Sequence, residues 1–168
     1  MPIPDFIKSL RSKIGNELLQ VSTVAVLASD DQGRLLLIQD QASGLWGAPG
    51  GIVEPLELLA DAAVRETWEE AGVFVALTHV LGVFAGEHFS GTYDNGDRMA
   101  CVSNVFAARP ISGTPCPDHA ETADARFFLP DEIAALSCQP HFHVIRRALS
   151  QSQSQAYFKP ATWQPNGR

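Results

Sequence analysis

Long apolar runs are missing from this 168-residue chain, although 45% of its residues are hydrophobic. The longest, such as Val24 to Ala28, fall far short of the roughly 20 residues that a helix needs to cross a bilayer. The opening MPIPDFI is followed by the charged KSLRSK, with no apolar stretch of the kind a signal peptide requires. Cysteine is scarce as well. Cys101, Cys116 and Cys138 are odd in number, and their spacings match neither Cys-x-x-Cys nor a zinc pattern. That points to a reducing compartment, the cytoplasm. Positive charge is in short supply too, with 12 Lys and Arg against 19 Asp and Glu and a formal net charge of -7. This argues against a wide electropositive face, so long nucleic acid is not an expected partner, nor is a membrane. A small nucleotide remains open, because a divalent metal inverts the local sign. A homodimer is compatible with this composition.

No internal repeat and no interior linker divide the chain. Residues 1–150 read as one domain with a short N-terminal helix, and 151–168 as a polar tail that orders where Tyr157, Phe158 or Trp163 finds a surface. A helix fits residues 4–12. Val21 to Ser29 is rich in β-branched residues and, with the turn DDQG and the partner RLLLIQD, predicts a β-hairpin. Gln41 to Gly51 is a glycine-rich loop, and Leu58 to Ala71 has a helical period ended by Gly72 as a left-handed cap. Strands follow at Val73–Gly86, Met99–Arg109 and Ala123–Phe128, with a polar loop from Glu87 to Arg98 and helices at 130–137 and 140–150. Helices before, between and after strands indicate an α/β domain, a mixed sheet with helical cover on both sides.

The helix from Leu58 carries an anomaly. Val64 and Trp68 fall on one side and are expected to pack against the sheet, while Glu66, Glu69 and Glu70 fall on the other. Like charges at these spacings destabilise an isolated helix by roughly 0.2–0.5 kcal/mol per pair. They also sit near the helix C-terminus, the wrong end for anions. Arg65 relieves part of this and cannot neutralise three carboxylates. The plain reading is a solvated acidic helix end. The functional one is that Mg²⁺ or Mn²⁺ supplies the missing charge, since hard cations take carboxylate oxygens. The preceding loop GLWGAPGG keeps side chains away from whatever approaches its backbone. It is neither a P-loop nor a dinucleotide fingerprint.

Gly51, five residues, Glu57, seven residues and then Arg65-Glu66-Thr67-Trp68-Glu69-Glu70-Ala71-Gly72-Val73 resembles the signature box of the Nudix hydrolases. The likeness continues through GRLLLIQD before the box, YDNGD at Tyr93 to Asp97, and ETADARFFLPDEI, covering about residues 20–137. It implies a Nudix α/β/α sandwich and Mg²⁺- or Mn²⁺-dependent hydrolysis of a nucleoside diphosphate linked to another group. By the same resemblance, Glu66, Glu69 and Glu70 would be metal-binding and catalytic carboxylates and the Gly50 carbonyl a further ligand. Arg65 would hold box carboxylates, including Glu57, with Gly51 and Gly72 structural. Three positions depart from the pattern: Thr67 for an aliphatic residue, Leu56 for glycine, and Leu58 for a small hydroxyl residue that would cap the helix.

The proton from an attacking water needs a base, which the resemblance leaves either to a box glutamate or to one on a distant loop; among the latter Glu121 ranks ahead of Glu87 and Asp97. His141 and His143 follow Pro140, so they read as helical and facing apart rather than as a ligand pair. His88 and His119 belong to loops. Trp46, Phe89, Tyr93 and Asp97 are the candidate substrate contacts, with Phe84 nearby and with packing against the sheet the alternative for Trp46; stacking on such aromatics tolerates many bases. ADP-ribose or a related sugar nucleotide is the favoured substrate, ahead of a dinucleoside polyphosphate and a nucleoside triphosphate. The intact box argues against a catalytically silent nucleotide-binding domain.

Overall fold

The computed structural model describes residues 3–93, 95–151 and 156–157. Helix α1 (Asp5–Ile14) leads into strands β1 (Leu19–Ala28), β2 (Leu35–Asp40) and the two-residue β3 (Trp46–Gly47). Helix α2 (Leu59–Ala71) is followed by β4 (Val73–Phe84), a 3-10 turn at Glu87–Phe89, β5 (Ser90–Thr92), β6 (Arg98–Gly113) and β7 (Thr122–Phe128). Helices α3 (Pro130–Ile133) and α4 (Pro140–Gln151) complete the described fold. β5 lies within the stretch that reads as a polar loop. α3 is shorter than the 130–137 its sequence predicts.

The strands form two sheets. In the first, β6 pairs in parallel with β1 and antiparallel with β4 and β5; in the second, β2 pairs antiparallel with β3 and β7. The predicted hairpin is therefore corrected. Asp30 does reverse the chain, its Oδ1 accepting the N–H groups of Gln32 and Arg34. Beyond the turn, β1 and β2 share only an isolated bridge, Ser29 to Leu35. The reason is competition for an edge. The glycine loop lies along β1, with Val24 N–H donating to Gly51 O and Val26 N–H to Pro49 O at 2.9 Å each.

Alternation along the strands serves a core on each face. Val24, Val26 and Ala28 of β1, Leu36 and Ile38 of β2, Val73 and Val75 of β4 and Ala125 of β7 all pack with Ala62, Ala63 and Ala71 of α2. α2 is thus wedged between the two sheets. On the opposite faces, Leu37 and Trp46 meet Ile133 and Phe142, while Phe84 and Val105 meet Ile145 and Ala148. A last cluster joins Ile7 of α1 to Val21, Ile52 and Met99. Tyr157 stacks on Phe84, whereas Phe158 and Trp163 lie outside the described residues.

The expected face of α2 is also corrected. Trp68 is 53% exposed, Val64 only flanks the core, and Thr67 is fully buried with its hydroxyl donating to Ala63 O at 2.7 Å. Hydrophobicity selects the largest apolar side chains as the inner face. A helix wedged between two sheets needs small ones there to let the backbones approach. Trp68→Ala is accordingly expected to lower unfolding free energy by about 1 kcal/mol in a denaturant titration. A loss of roughly 3–5 kcal/mol, the cost of emptying a buried site, would contradict this placement.

Candidate active site

Rotating α2 inward brings its acids with it. Glu66 and Glu70 are only 7% and 6% exposed, whereas the Glu69 side chain is largely solvated. One guanidinium organises most of the cluster. Arg65 donates from Nε and Nη2 to the two oxygens of Glu57 at 2.8 and 2.9 Å, and from Nη1 to Glu66 at 2.9 Å and Glu69 at 3.0 Å. Glu57 closes the arrangement by accepting the Glu54 N–H at 3.0 Å. Glu70 is held separately, its Oε2 accepting the Gly50 N–H at 2.8 Å.

The glycines are required by close approach. A Cβ on Gly51 would fall on the Glu66 carboxyl group, 2.5 Å from its Cδ, and one on Gly50 would come within 2.8 Å of the Ala25 Cα. Gly72 ends α2 at φ 65°, donating its N–H to Trp68 O, as the sequence predicts. Leu56 keeps the left-handed conformation of the glycine it replaces, at φ 69°, with its side chain fully in solvent. Leu58 provides no side-chain cap.

Electrostatics set the carboxylates apart. The Arg65 hydrogen bonds hold Glu57 below the usual carboxylate range. Burial pushes Glu66 up against the opposing pull of Arg65, and pushes Glu70 well up, offset in part by the Gly50 N–H. Glu121 is also raised by burial, with Asp118 and Glu69 adding to it. Among the described residues no three His, Cys, Asp or Glu side chains converge on one point, Glu66 and Glu69 being drawn to Arg65 and Glu70 to the loop. The donor chemistry nevertheless fits a hard divalent cation. Glu57, Glu66 and Glu69 share a single guanidinium, Glu66 among them and the separately held Glu70 are buried, and glycine at position 51 leaves room beside the Glu66 carboxyl group that any side chain would fill.

Of these acids, Glu70 and Glu121 line a cleft of about 490 Å³, whereas Glu57, Glu66 and Glu69 are not among its lining residues. Gly50, Gly51, Glu70 and Glu121 form one side; Phe89, Tyr93 and His141 are on its wall. Met99, Cys101 and Ser103 also line it, at alternate positions of β6, with Thr23 and Ala25 on β1. That period-two pattern was present in the sequence, but without the parallel β1–β6 register nothing aimed it at the acids. His141 lies beside the Phe89 ring at 6.1 Å and, although the residue is exposed, desolvation of its imidazole lowers its pKa. His88 lines the cleft as well.

Two of the candidate substrate contacts belong elsewhere. Trp46 is buried and packs edge-on against Phe128, with ring centroids 4.8 Å apart. It is a core residue because β3 turns it under α3 and α4, away from the cleft. Asp97 faces α1, 3.5 Å from Arg11 Nε, and accepts from the Asn95 amide at 2.9 Å. Arg11 also donates to the carbonyls of Glu17 and Arg98, both at 2.6 Å, tying α1 to the loop that carries Tyr93. Neither Asp97 nor Glu87 lines the cleft among the described residues, whereas Glu121 does.

Residues 19–148 match the NUDIX domain model. The chain belongs to the NUDIX family of pyrophosphohydrolases, enzymes that act on small nucleotides and generally use a divalent metal. It is 33% identical to a MutT-like protein of Streptomyces ambofaciens, over 70% of this chain and 68% of that one. It is 29% identical to a putative 8-oxo-dGTP diphosphatase of Bacillus subtilis, over 64% of this chain and 66% of that one. A MutT NUDIX hydrolase of Burkholderia pseudomallei, a solved structure, superposes with TM-score 0.58 at 29% identity, covering 80% of this chain and 99% of that one. No helix among the described residues is long and apolar enough to cross a membrane.

Leu56→Gly tests the turn before Glu57. Relief of left-handed strain, roughly 1–2 kcal/mol, outweighs the roughly 0.5–1 kcal/mol that glycine loses in chain entropy. The variant should therefore be more stable by about 0.5–1 kcal/mol in denaturant titration. A destabilised variant would show that Leu56 makes contacts its exposure denies.

Proposed function

We propose that this chain hydrolyses a phosphoanhydride in a nucleoside diphosphate linked to another moiety, with ADP-ribose or a related sugar nucleotide as the first choice. The observation that carries this reading is the charge of the cleft. Among the described residues lining it there is no Lys or Arg, and the nearby Arg65 is committed to Glu57, Glu66 and Glu69. A diphosphate flanked by two neutral groups brings less negative charge than a triphosphate, whose terminal phosphate would meet no Lys or Arg among the described lining residues. A dinucleoside polyphosphate ranks second. The triphosphate reading ranks third and draws support from the Bacillus subtilis relative described as a putative 8-oxo-dGTP diphosphatase.

In this reading Glu66, Glu69, Glu70 and the Gly50 carbonyl hold Mg²⁺ or Mn²⁺. Such an ion supplies charge neutralisation at the diphosphate and a lowered pKa for bound water. Arg65 keeps Glu66 and Glu69 oriented and Glu57 anchors Arg65. Glu121, on the cleft wall, is the favoured acceptor of the water's proton. Phe89 and Tyr93 flank the base. The free thiols Cys101, Cys116 and Cys138 agree with a reducing, cytoplasmic setting.

The test is one panel, run with Mg²⁺ and with Mn²⁺, comparing kcat/KM for ADP-ribose, nucleotide sugars, diadenosine polyphosphates and common and oxidised triphosphates. ADP-ribose or a nucleotide sugar should lead, chelator should abolish turnover, and Glu69→Gln or Glu70→Gln should lower kcat by several powers of ten. A triphosphate preferred by a hundredfold, about 2.7 kcal/mol in transition-state binding, would reject the ordering. Full activity without metal would reject the mechanism.

A further inference from the structure

The Phe89 side of the cleft is braced from behind by a segment remote in sequence. Tyr157 lies alongside β4, donating its N–H to Leu81 O at 2.8 Å and accepting the Val83 N–H at 3.1 Å. Its ring stacks on Phe84 at 5.1 Å between centroids and 19° between planes. Phe84 in turn packs on Phe89 at 5.8 Å, and Phe89 meets the His141 ring at 6.1 Å on the cleft wall. Four rings thus run in series from Tyr157 to the lining of the cleft. β4 is adapted to receive this segment. A Cβ on Gly82 would stand 2.9 Å from Tyr157 O, 3.1 Å from Tyr157 Cβ and 2.9 Å from the Phe84 ring.

We infer that Tyr157 is a positioning residue for nucleotide recognition, setting the Phe89–His141 wall against which the base is held. The inference rests on the nucleotide reading of the cleft. Phe89 has little freedom of its own, because its position is fixed by Phe84 on one side and His141 on the other. Phe84 keeps its stacking partner only while Tyr157 is docked on β4. Offset aromatic pairs depend on ring placement, so losing the outermost ring loosens the innermost one. The acids on α2 and the Gly50 loop make none of these contacts. Binding of the base should respond to Tyr157 while the chemical step does not.

The experiment uses the full chain and two readouts. Calorimetric binding of AMP, GMP, CMP and UMP requires no turnover; kcat and KM are measured on the substrate that the chain hydrolyses best. Tyr157→Ala should weaken the tightest monophosphate about tenfold and raise KM by a similar factor, with kcat within about threefold. Tyr157→Phe, which keeps the ring and the backbone bonds, should restore both values. Gly82→Val, whose side chain would press on both the Tyr157 backbone and the Phe84 ring, should reproduce Tyr157→Ala. A Tyr157→Ala chain with unchanged affinity and KM overturns the inference. So does a fall in kcat at constant KM, or a failure of phenylalanine to rescue. A wild-type chain that binds monophosphates tightly but hydrolyses nothing contradicts the proposed function alone, and the calorimetric arm still decides the inference. A wild-type chain that binds none of the four and hydrolyses nothing contradicts both.

Discussion

Arg65 is the residue around which the acidic site is arranged. One guanidinium bonds Glu57 in a two-pronged contact and reaches Glu66 and Glu69 with its remaining nitrogen. A planar fork of donors suits this task, which a lysine ammonium would perform only as a point charge. The arrangement is under-neutralised by design of its parts. Glu57 absorbs the strongest of the contacts and is held below its usual range, while Glu66 and Glu70 are driven above theirs by burial. The carboxylates that lack full compensation are those beside the glycine loop, and of the two Glu70 lines the cleft.

That burial is a consequence of how α2 is lodged. Alanines at 62, 63 and 71 allow the helix to sit between two sheets, and the same rotation carries Glu66 and Glu70 inward. The glycine loop closes over them because it takes the free edge of β1, with backbone bonds to Val24 and Val26. Site and core are therefore parts of one construction. The two sheets splay around α2, the β1 edge presents the loop, and the parallel β1–β6 pair supplies the floor of the cleft through Thr23, Ala25, Cys101 and Ser103.

Much of this was legible in the sequence. The helix, its Gly72 stop, the acidic cluster and its partner Arg65 all follow from spacing, charge and the likeness to the Nudix box. Three features did not. Trp68 reads as core because periodicity favours large apolar residues, yet the inner face of a tightly wedged helix is set by small ones. β1 and β2 read as a hairpin because a good turn joins them, and the turn carries no information about which strand edge the glycine loop occupies. Asp97 and Trp46 read as cleft residues from their neighbours in the chain, whereas Arg11 and Phe128, both distant in sequence, take them elsewhere. Local signals fixed the elements, and long-range contacts decided which way they face.

The central claim is that the buried acids of α2 and the Gly50 loop form a divalent-cation site. The most direct measurement is titration of Mn²⁺ into the substrate-free full chain, with unbound Mn²⁺ followed by electron paramagnetic resonance. Saturable binding at one or a few sites is expected, weakening at least tenfold in Glu70→Gln with the fold retained. Absence of saturable binding in the wild-type chain, or binding equally strong in Glu70→Gln, would contradict it.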